Sequence, residues 1–223
     1  MRFVATLSAV ALLAIAAPAQ ADTILYRVNA GGPLVVALDA SGVDWSADIP
    51  ITSPSPYLVD VGSDGSFSTA NSIDLTDPSL PALTPEAIFQ TERWDDAGGT
   101  EMQWEFGVAP GTEVEVHIFL AEIFSGITGP GERLFDVQVE GAVPAAFTNI
   151  DQRALAGDLL DRGVMISTTL TVLDGTLDID FLHGSIENPT VKAIEIVQVP
   201  EPSTLALVAL GLSGLCIAGR RRA

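Results

Sequence analysis

The run "TEVEVHIFLAEIF" at residues 112–124 constrains the fold more than any other stretch. Val114, Val116, Ile118 and Leu120 alternate in it with Glu113, Glu115, His117 and Phe119. A period of two puts the first set on one side of an extended strand and the second on the other, whereas a helix would scatter both around its axis. The pattern recurs. In "MQWEFGV", Met102, Trp104, Phe106 and Val108 share a face, and Pro110-Gly111 turns the chain before the next run. "LFDVQVEG" aligns Phe135, Val137 and Val139, and "VKAIEIVQV" sets Val191, Ala193, Glu195 and Val197 against Lys192, Ile194 and Ile196. "LTVLDGTLDIDF" predicts a hairpin closed at Asp174-Gly175. Helical periodicity is scarce and turn signals recur at sandwich-like intervals, so the expected fold is all-β, an antiparallel β-sandwich over about 24–198.

Both ends stand apart from this pattern. Met1-Arg2 is followed by the apolar run "FVATLSAVALLAIAA" and by Ala19-Gln20-Ala21 before Asp22. A basic start, an apolar stretch and a small-residue cleavage site predict a signal peptide over 1–21. At the other end, an apolar stretch of 14 residues (205–218) precedes Arg220, Arg221 and Arg222. As a short hydrophobic helix it would span about 21 Å, less than the roughly 30 Å of a bilayer core. The arginines would stay cytoplasmic and leave the rest outside, so the segment reads as a short C-terminal membrane tether, which the resemblance below makes a transient membrane tether. Val199, Pro200, Glu201 and Pro202, then an apolar helix, then a basic terminus, resemble the PEP-CTERM sorting signal of Gram-negative bacteria. That resemblance implies processing by an exosortase near Pro200, Glu201 and Pro202, and delivery to the cell envelope, outer surface or extracellular matrix. An ordinary tail anchor is the alternative. The expected organisation is therefore signal peptide 1–21, folded domain 22–198 and sorting or anchor segment 199–223.

Composition then narrows the function. Residues 22–199 hold 28 acidic and six basic residues, a net charge of −22. So acidic a surface repels phosphate backbones and argues against nucleic acid or anionic lipid as a partner. Cys216 is the only cysteine and lies in the apolar tail, so the domain forms no disulfide and holds no Cys-His metal cluster. No metal or cofactor is expected. Residues 50–87 are crowded with Pro, Ser, Thr and Asp and read as a long surface loop, with a short strand at 57–61. Asp60, Asp64 and glycines 62 and 65 hint at a calcium loop, without the full ligand spacing or a closing Glu.

Catalysis finds little support. His117 lies within a strand pattern and His183 follows one, and there is neither a G-x-S-x-G nor an H-E-x-x-H motif. The many carboxylates mostly alternate with apolar residues, as on a solvated face, although glycoside hydrolysis needs only two of them suitably placed.

Six blocks occur in order: "LYRVNAGG" (25–32), "IFQTERW" (88–94), "HIFLAEIF" (117–124), "GPGERLFDVQVEG" (129–141), "VLDGTLDIDF" (172–181) and "ENPTVKAIEI" (187–196). Together they resemble the malectin domain. The resemblance implies a β-sandwich of the jelly-roll or lectin type that binds carbohydrate, the animal prototype recognising a glucose disaccharide. It carries the binding aromatics onto Trp94 and Phe124 and the acid onto Glu187. A ring offers its face to the C–H side of a pyranose, and a carboxylate accepts strong hydrogen bonds from sugar hydroxyls. The second of two adjacent family aromatics falls on Ser125, which removes one stacking surface. A further tyrosine has no clear equivalent; Tyr57 is the candidate and Phe67 a weaker one. Glu92, Arg93, Glu122 and Arg133 read as ion pairs and hydrogen bonds that position loops, and Asn29-Ala30-Gly31-Gly32 as a turn. The expected function is non-catalytic binding of a neutral oligosaccharide or polysaccharide. A structural matrix or adhesion protein with a degenerate sugar site, and a glycan-active enzyme, are the alternatives.

Overall fold

The structure, a computed structural model, describes residues 22–50, 52–59, 65–96 and 100–200. Eleven strands are described: β1 (Thr23–Ala30), β2 (Ser46–Asp48), β3 (Gly65–Ser68), β4 (Thr91–Trp94), β5 (Met102–Gly107), β6 (Glu113–Leu120), β7 (Leu134–Val139), β8 (Val164–Thr171), β9 (Thr176–Ile186), β10 (Thr190–Val191) and β11 (Ala193–Gln198). One sheet has the order β2-β1-β11-β6-β8 and a second β5-β9-β7, while β10-β4-β3 form a small third sheet. Within these sheets only β1 and β2 run parallel. The predicted antiparallel sandwich is the fold.

The alternating runs face one another across the core. Val114, Val116, Ile118 and Leu120 of β6, with Ile194 and Ile196 of β11, meet Met102, Trp104 and Phe106 of β5 and Leu177, Ile179 and Phe181 of β9. Fully burying each such side chain contributes about 1.5–3 kcal/mol, which makes this layer the main source of cohesion.

The predicted hairpin at Asp174-Gly175 does not form. β8 pairs with β6, and β9 pairs with β5 and β7, so the turn carries the chain from one sheet to the other. Pro110-Gly111 makes a second crossing beside it. Gly111 N–H donates to Val172 O at 2.7 Å, and Val108 N–H to Gly175 O at 3.1 Å. Gly175 adopts φ +107°, a backbone conformation suited to glycine. Alternation tells which side of a strand is buried but not which strand lies beside it, and here the ladders to β5 and β6 decide.

The stretch read as a long surface loop is also more integrated than expected. Ile73 of that stretch, with Ile88 and Phe89 just after it, packs with Trp45, Phe119, Ala121, Ile123 and Ala193 in a second cluster that includes outward-facing residues of β6 and β11. That is why β11 is buried on both faces. Residues 57–59 join β5 through Glu105 N–H to Tyr57 O at 2.8 Å and Val59 N–H to Gln103 O at 2.9 Å. The calcium hint at Asp60 and Asp64 falls outside the described residues, as do the signal segment and the C-terminal helix. No helix among the described residues is long and apolar enough to cross a membrane.

Candidate functional site

The "TERW" block builds the floor of a cleft. In the small sheet, Trp94 of β4 lies opposite Thr190 on one side and Gly65 on the other, and Glu92 lies opposite Phe67. Directly opposed residues share a face, so Gly65, Phe67, Glu92, Trp94 and Thr190 form one surface. Thr91 and Arg93 point the other way, into the body. Arg93 makes a bidentate pair with Asp48 at 2.6 Å on each arm, both side chains buried. The same carboxylate also accepts from Gly31 N–H (3.0 Å) and Ser55 N–H (2.8 Å). Gly31 has φ +71°, and a Cβ there would come within 2.1 Å of Glu92 O, so the Asn29–Gly32 turn needs glycine at this point.

Walls rise from two loops. Phe124 follows β6 and meets Phe67 edge to face, with centroids 5.7 Å apart and planes at 83°. Arg133, Glu187 and Asn188 close the other side of a cleft of about 350 Å³. Two glycines let the rings lie where they do. A Cβ on Gly65 would sit 2.4 Å from the Trp94 indole, and one on Gly126 would sit 2.3 Å from the Phe124 ring.

Buried charge holds these parts in place. Glu122 is buried at the end of β6. Its Oε1 accepts from Phe124 N–H at 3.0 Å and its Oε2 from Arg133 Nε at 2.8 Å. Arg133 also donates to the carbonyl of Asn188, next to Glu187. Lys192, wholly buried, pairs with Glu92. Burial pushes the Lys192 pKa down, while the charge of Glu92 opposes the shift. Glu92, Arg93, Glu122 and Arg133 thus act as the ion pairs and hydrogen bonds the sequence suggested.

Of the residues proposed from sequence, Trp94, Phe124 and Glu187 line this one cleft. Glu187 is exposed and holds a left-handed backbone, φ +59°, which is uncommon for a residue with a side chain. Tyr57 does not join them. Its ring stacks on Phe106 at 5.0 Å and packs against Tyr26 at 5.0 Å, half-buried beside the main core. The reason is register: residues 57–59 pair with β5, whereas Phe67 lies in β3 beside β4 and lines the cleft. Ser125 is exposed next to Phe124. Thr190, Asn188 and the pairing of Lys192 with Glu92 were not picked out from sequence, because contacts between residues up to a hundred positions apart leave no local signal. Pro200 is half-buried just past β11, while Glu201, Pro202 and Arg220–Arg222 lie outside the described residues.

A two-layer β-sandwich with an aromatic cleft at one end defines a ligand-binding module. The chain belongs to the malectin family: the Malectin domain model matches residues 24–194, and the PEP-CTERM protein-sorting motif matches 198–222. A curated relative, Receptor-like protein 4 of Arabidopsis thaliana, is 25% identical over 119 residues, 53% of this chain and 18% of that protein. The crystal structure of the plant Receptor-like Kinase FER matches with a TM-score of 0.67 at 17% identity, covering 80% of this chain and 50% of that one. The ANXUR2 extracellular domain from Arabidopsis thaliana matches with 0.67 at 14%, covering 80% and 49%. The chain therefore spans about half the length of these solved structures or less than a fifth of the curated relative, and the structural likeness shows the fold alone. The family match makes residues 24–194 a malectin domain, and the sorting motif marks the chain for export toward the cell envelope or surface.

Proposed function

We propose that this protein is a non-catalytic lectin-type module that holds a short, neutral glycan in the cleft of Trp94, Phe124, Phe67 and Glu187. The observation that carries this reading is the convergence of three aromatic rings and one exposed carboxylate on a single opening. Rings offer faces for sugar C–H groups and Glu187 offers acceptors for hydroxyls, so orientation comes from both. A volume of about 350 Å³ falls at the small end of ligand pockets and suits a short oligosaccharide. The net charge of −22 over residues 22–199 disfavours uronates and sulfates. The other carboxylate lining the cleft, Glu92, is buried against Lys192, which supports a structural task for it over acid–base chemistry.

The topology supports a tethered presentation. Gln198 pairs with Val114 and Thr23, whereas Ala193 pairs with Phe119. The chain thus leaves the domain at the end of β11 farther from Phe124 and Thr190. In this reading residues 1–21 are removed on export, an exosortase acts near Pro200, and the tail holds the protein in the inner membrane until then. Mass spectrometry of the surface protein from its host should yield no peptides from 205–218; recovering them would point to a plain anchor.

The deciding experiment is a glycan array with the exported protein, followed by Trp94→Ala and Glu187→Ala on any hit. Both substitutions should abolish the signal. Binding that survives both would place the site elsewhere, hydrolysis of a hit would make the protein an enzyme, and no neutral glycan bound by an intact fold would favour a matrix role. One related structure is of the peptide RALF23 in complex with FER and LLG2, so a peptide in the same cleft would be a further contrary result.

A further inference from the structure

Beyond the cleft, two residues that flank one loop meet a third from far along the chain where β4 ends, β5 begins and β9 passes. His183 Nδ1 lies 2.8 Å from Glu101 Oε2 and 3.8 Å from Asp95 Oδ2, and one ligand atom from each residue lies within 4.8 Å of the others. From this geometry we propose that Asp95, Glu101 and His183 form a binding site for a divalent transition-metal ion.

Geometry, charge and donor type all support it. Zinc bonds of about 2.0–2.2 Å in a tetrahedron put ligand atoms roughly 3.3–3.6 Å apart. The observed 2.8 and 3.8 Å bracket that spacing. Asp95 is wholly buried and already oriented, since its Oδ2 accepts from Met102 N–H at 2.8 Å. The Glu101 carboxylate is oriented too, by the His183 backbone N–H at 2.9 Å. His183 Nδ1 is the ring nitrogen that faces both carboxylates.

The cluster carries excess negative charge. All six Lys and Arg of residues 22–199 are engaged with other carboxylates: Arg27 with Asp39 and Glu195, Arg93 with Asp48, Arg133 with Glu122, Arg153 with Asp158, Arg162 with Asp77, and Lys192 with Glu92. Asp180, close by on β9, has its pKa raised by burial and then by the charge of Glu101. A dication relieves that repulsion. One imidazole with two carboxylates suits zinc or manganese; calcium prefers an all-oxygen shell.

The site has a structural role to play at the rim of the cleft. Asp95 follows Trp94 directly, and its N–H donates to Pro189 O at 3.2 Å, two residues from Glu187. An ion there fastens the end of β4 to β5 and β9 and fixes the backbone from which Trp94 projects. The proposal does not rest on the identity of any cleft ligand.

The test is calorimetry on the exported protein after chelator treatment, titrated with zinc, manganese and calcium in turn. The expected result is one ion per chain, with zinc or manganese tighter than calcium. His183→Gln and Glu101→Gln should each weaken binding at least about tenfold. Zinc should raise the melting temperature of the wild type but not of His183→Gln. Glu101 is partly exposed, so Glu101→Gln leaves the fold intact and reads the site by itself. No binding, calcium binding tighter than zinc, or affinity unchanged in both variants would each overturn the proposal, the last by assigning the metal to diffuse surface carboxylates.

Discussion

Glu122 and Arg133 form a buried ion pair at 2.8 Å that joins the two loops walling the cleft: Glu122 holds the backbone of Phe124, and Arg133 holds the carbonyl beside Glu187. Breaking one partner leaves an uncompensated buried charge. Glu122→Gln should therefore destabilise the domain by about 3–5 kcal/mol. Urea unfolding followed by circular dichroism measures this; a loss below about 1 kcal/mol would show that the pair is solvated in practice.

The glycines beneath the rings give a subtler handle on the cleft. Gly65→Ala places a methyl 2.4 Å from the Trp94 indole, and Gly126→Ala places one 2.3 Å from Phe124. Each ring must move. Overpacking of this kind at a cleft wall should cost about 1–3 kcal/mol of stability. Gly65→Ala should also shift tryptophan emission, because Trp45 and Trp104 are buried and far less affected. Unchanged emission would mean that Trp94 already occupies another position.

Phe67 and Tyr57 should separate binding from stability. Phe67→Ala removes an exposed ring from the cleft and should weaken a glycan hit about five- to tenfold, equivalent to roughly 1–1.5 kcal/mol, with little change in melting temperature. Tyr57→Ala should leave binding unchanged and lower stability by about 2–3 kcal/mol, since it empties space against Phe106 and Tyr26. The opposite pattern in a titration of both variants would exchange their roles.

The outer face of the five-stranded sheet should make stability depend on pH. His117 Nδ1 lies 2.7 Å from Glu195 Oε1, Glu115 lies 3.4 Å from Nε2, and Arg27 shares Glu195. Burial opposes charge on the ring, but Glu195 and Glu115 outweigh it and raise its pKa. A raised value in the folded state means the protonated ring stabilises the fold. That contribution is complete below the ordinary imidazole value of about 6.5 and is lost as pH rises through the higher folded value. The melting temperature should fall across that window in the wild type and stay flat in His117→Gln. Equal slopes would remove His117 as the cause.

What the sequence determined by itself was the side on which residues lie. A period of two in β5, β6 and β7 grouped Trp104, Val116 and Val137 with the apolar face of each strand, because in an extended chain the face follows from position along the strand alone; in β11 it separated two faces without choosing between them, and the structure buries both. The resemblance of the ordered blocks to the malectin domain, and not alternation, singled out Trp94, Phe124 and Glu187, which line one cleft in the structure. What the tertiary structure decided was who neighbours whom. The Asp174-Gly175 turn joins two sheets because β8 finds β6 and β9 finds β5, choices made by ladders between residues more than 40 positions apart. Phe67 reached the cleft and Tyr57 did not because one pairs with β4 and the other with β5. Lys192, which reads in the chain as one polar member of an alternating strand, is wholly buried because Glu92, a hundred residues away, neutralises it. Asp95, Glu101 and His183 carry no shared spacing at all, since contact across three strands is set by pairing and packing, and alternation within one strand holds no record of its partner.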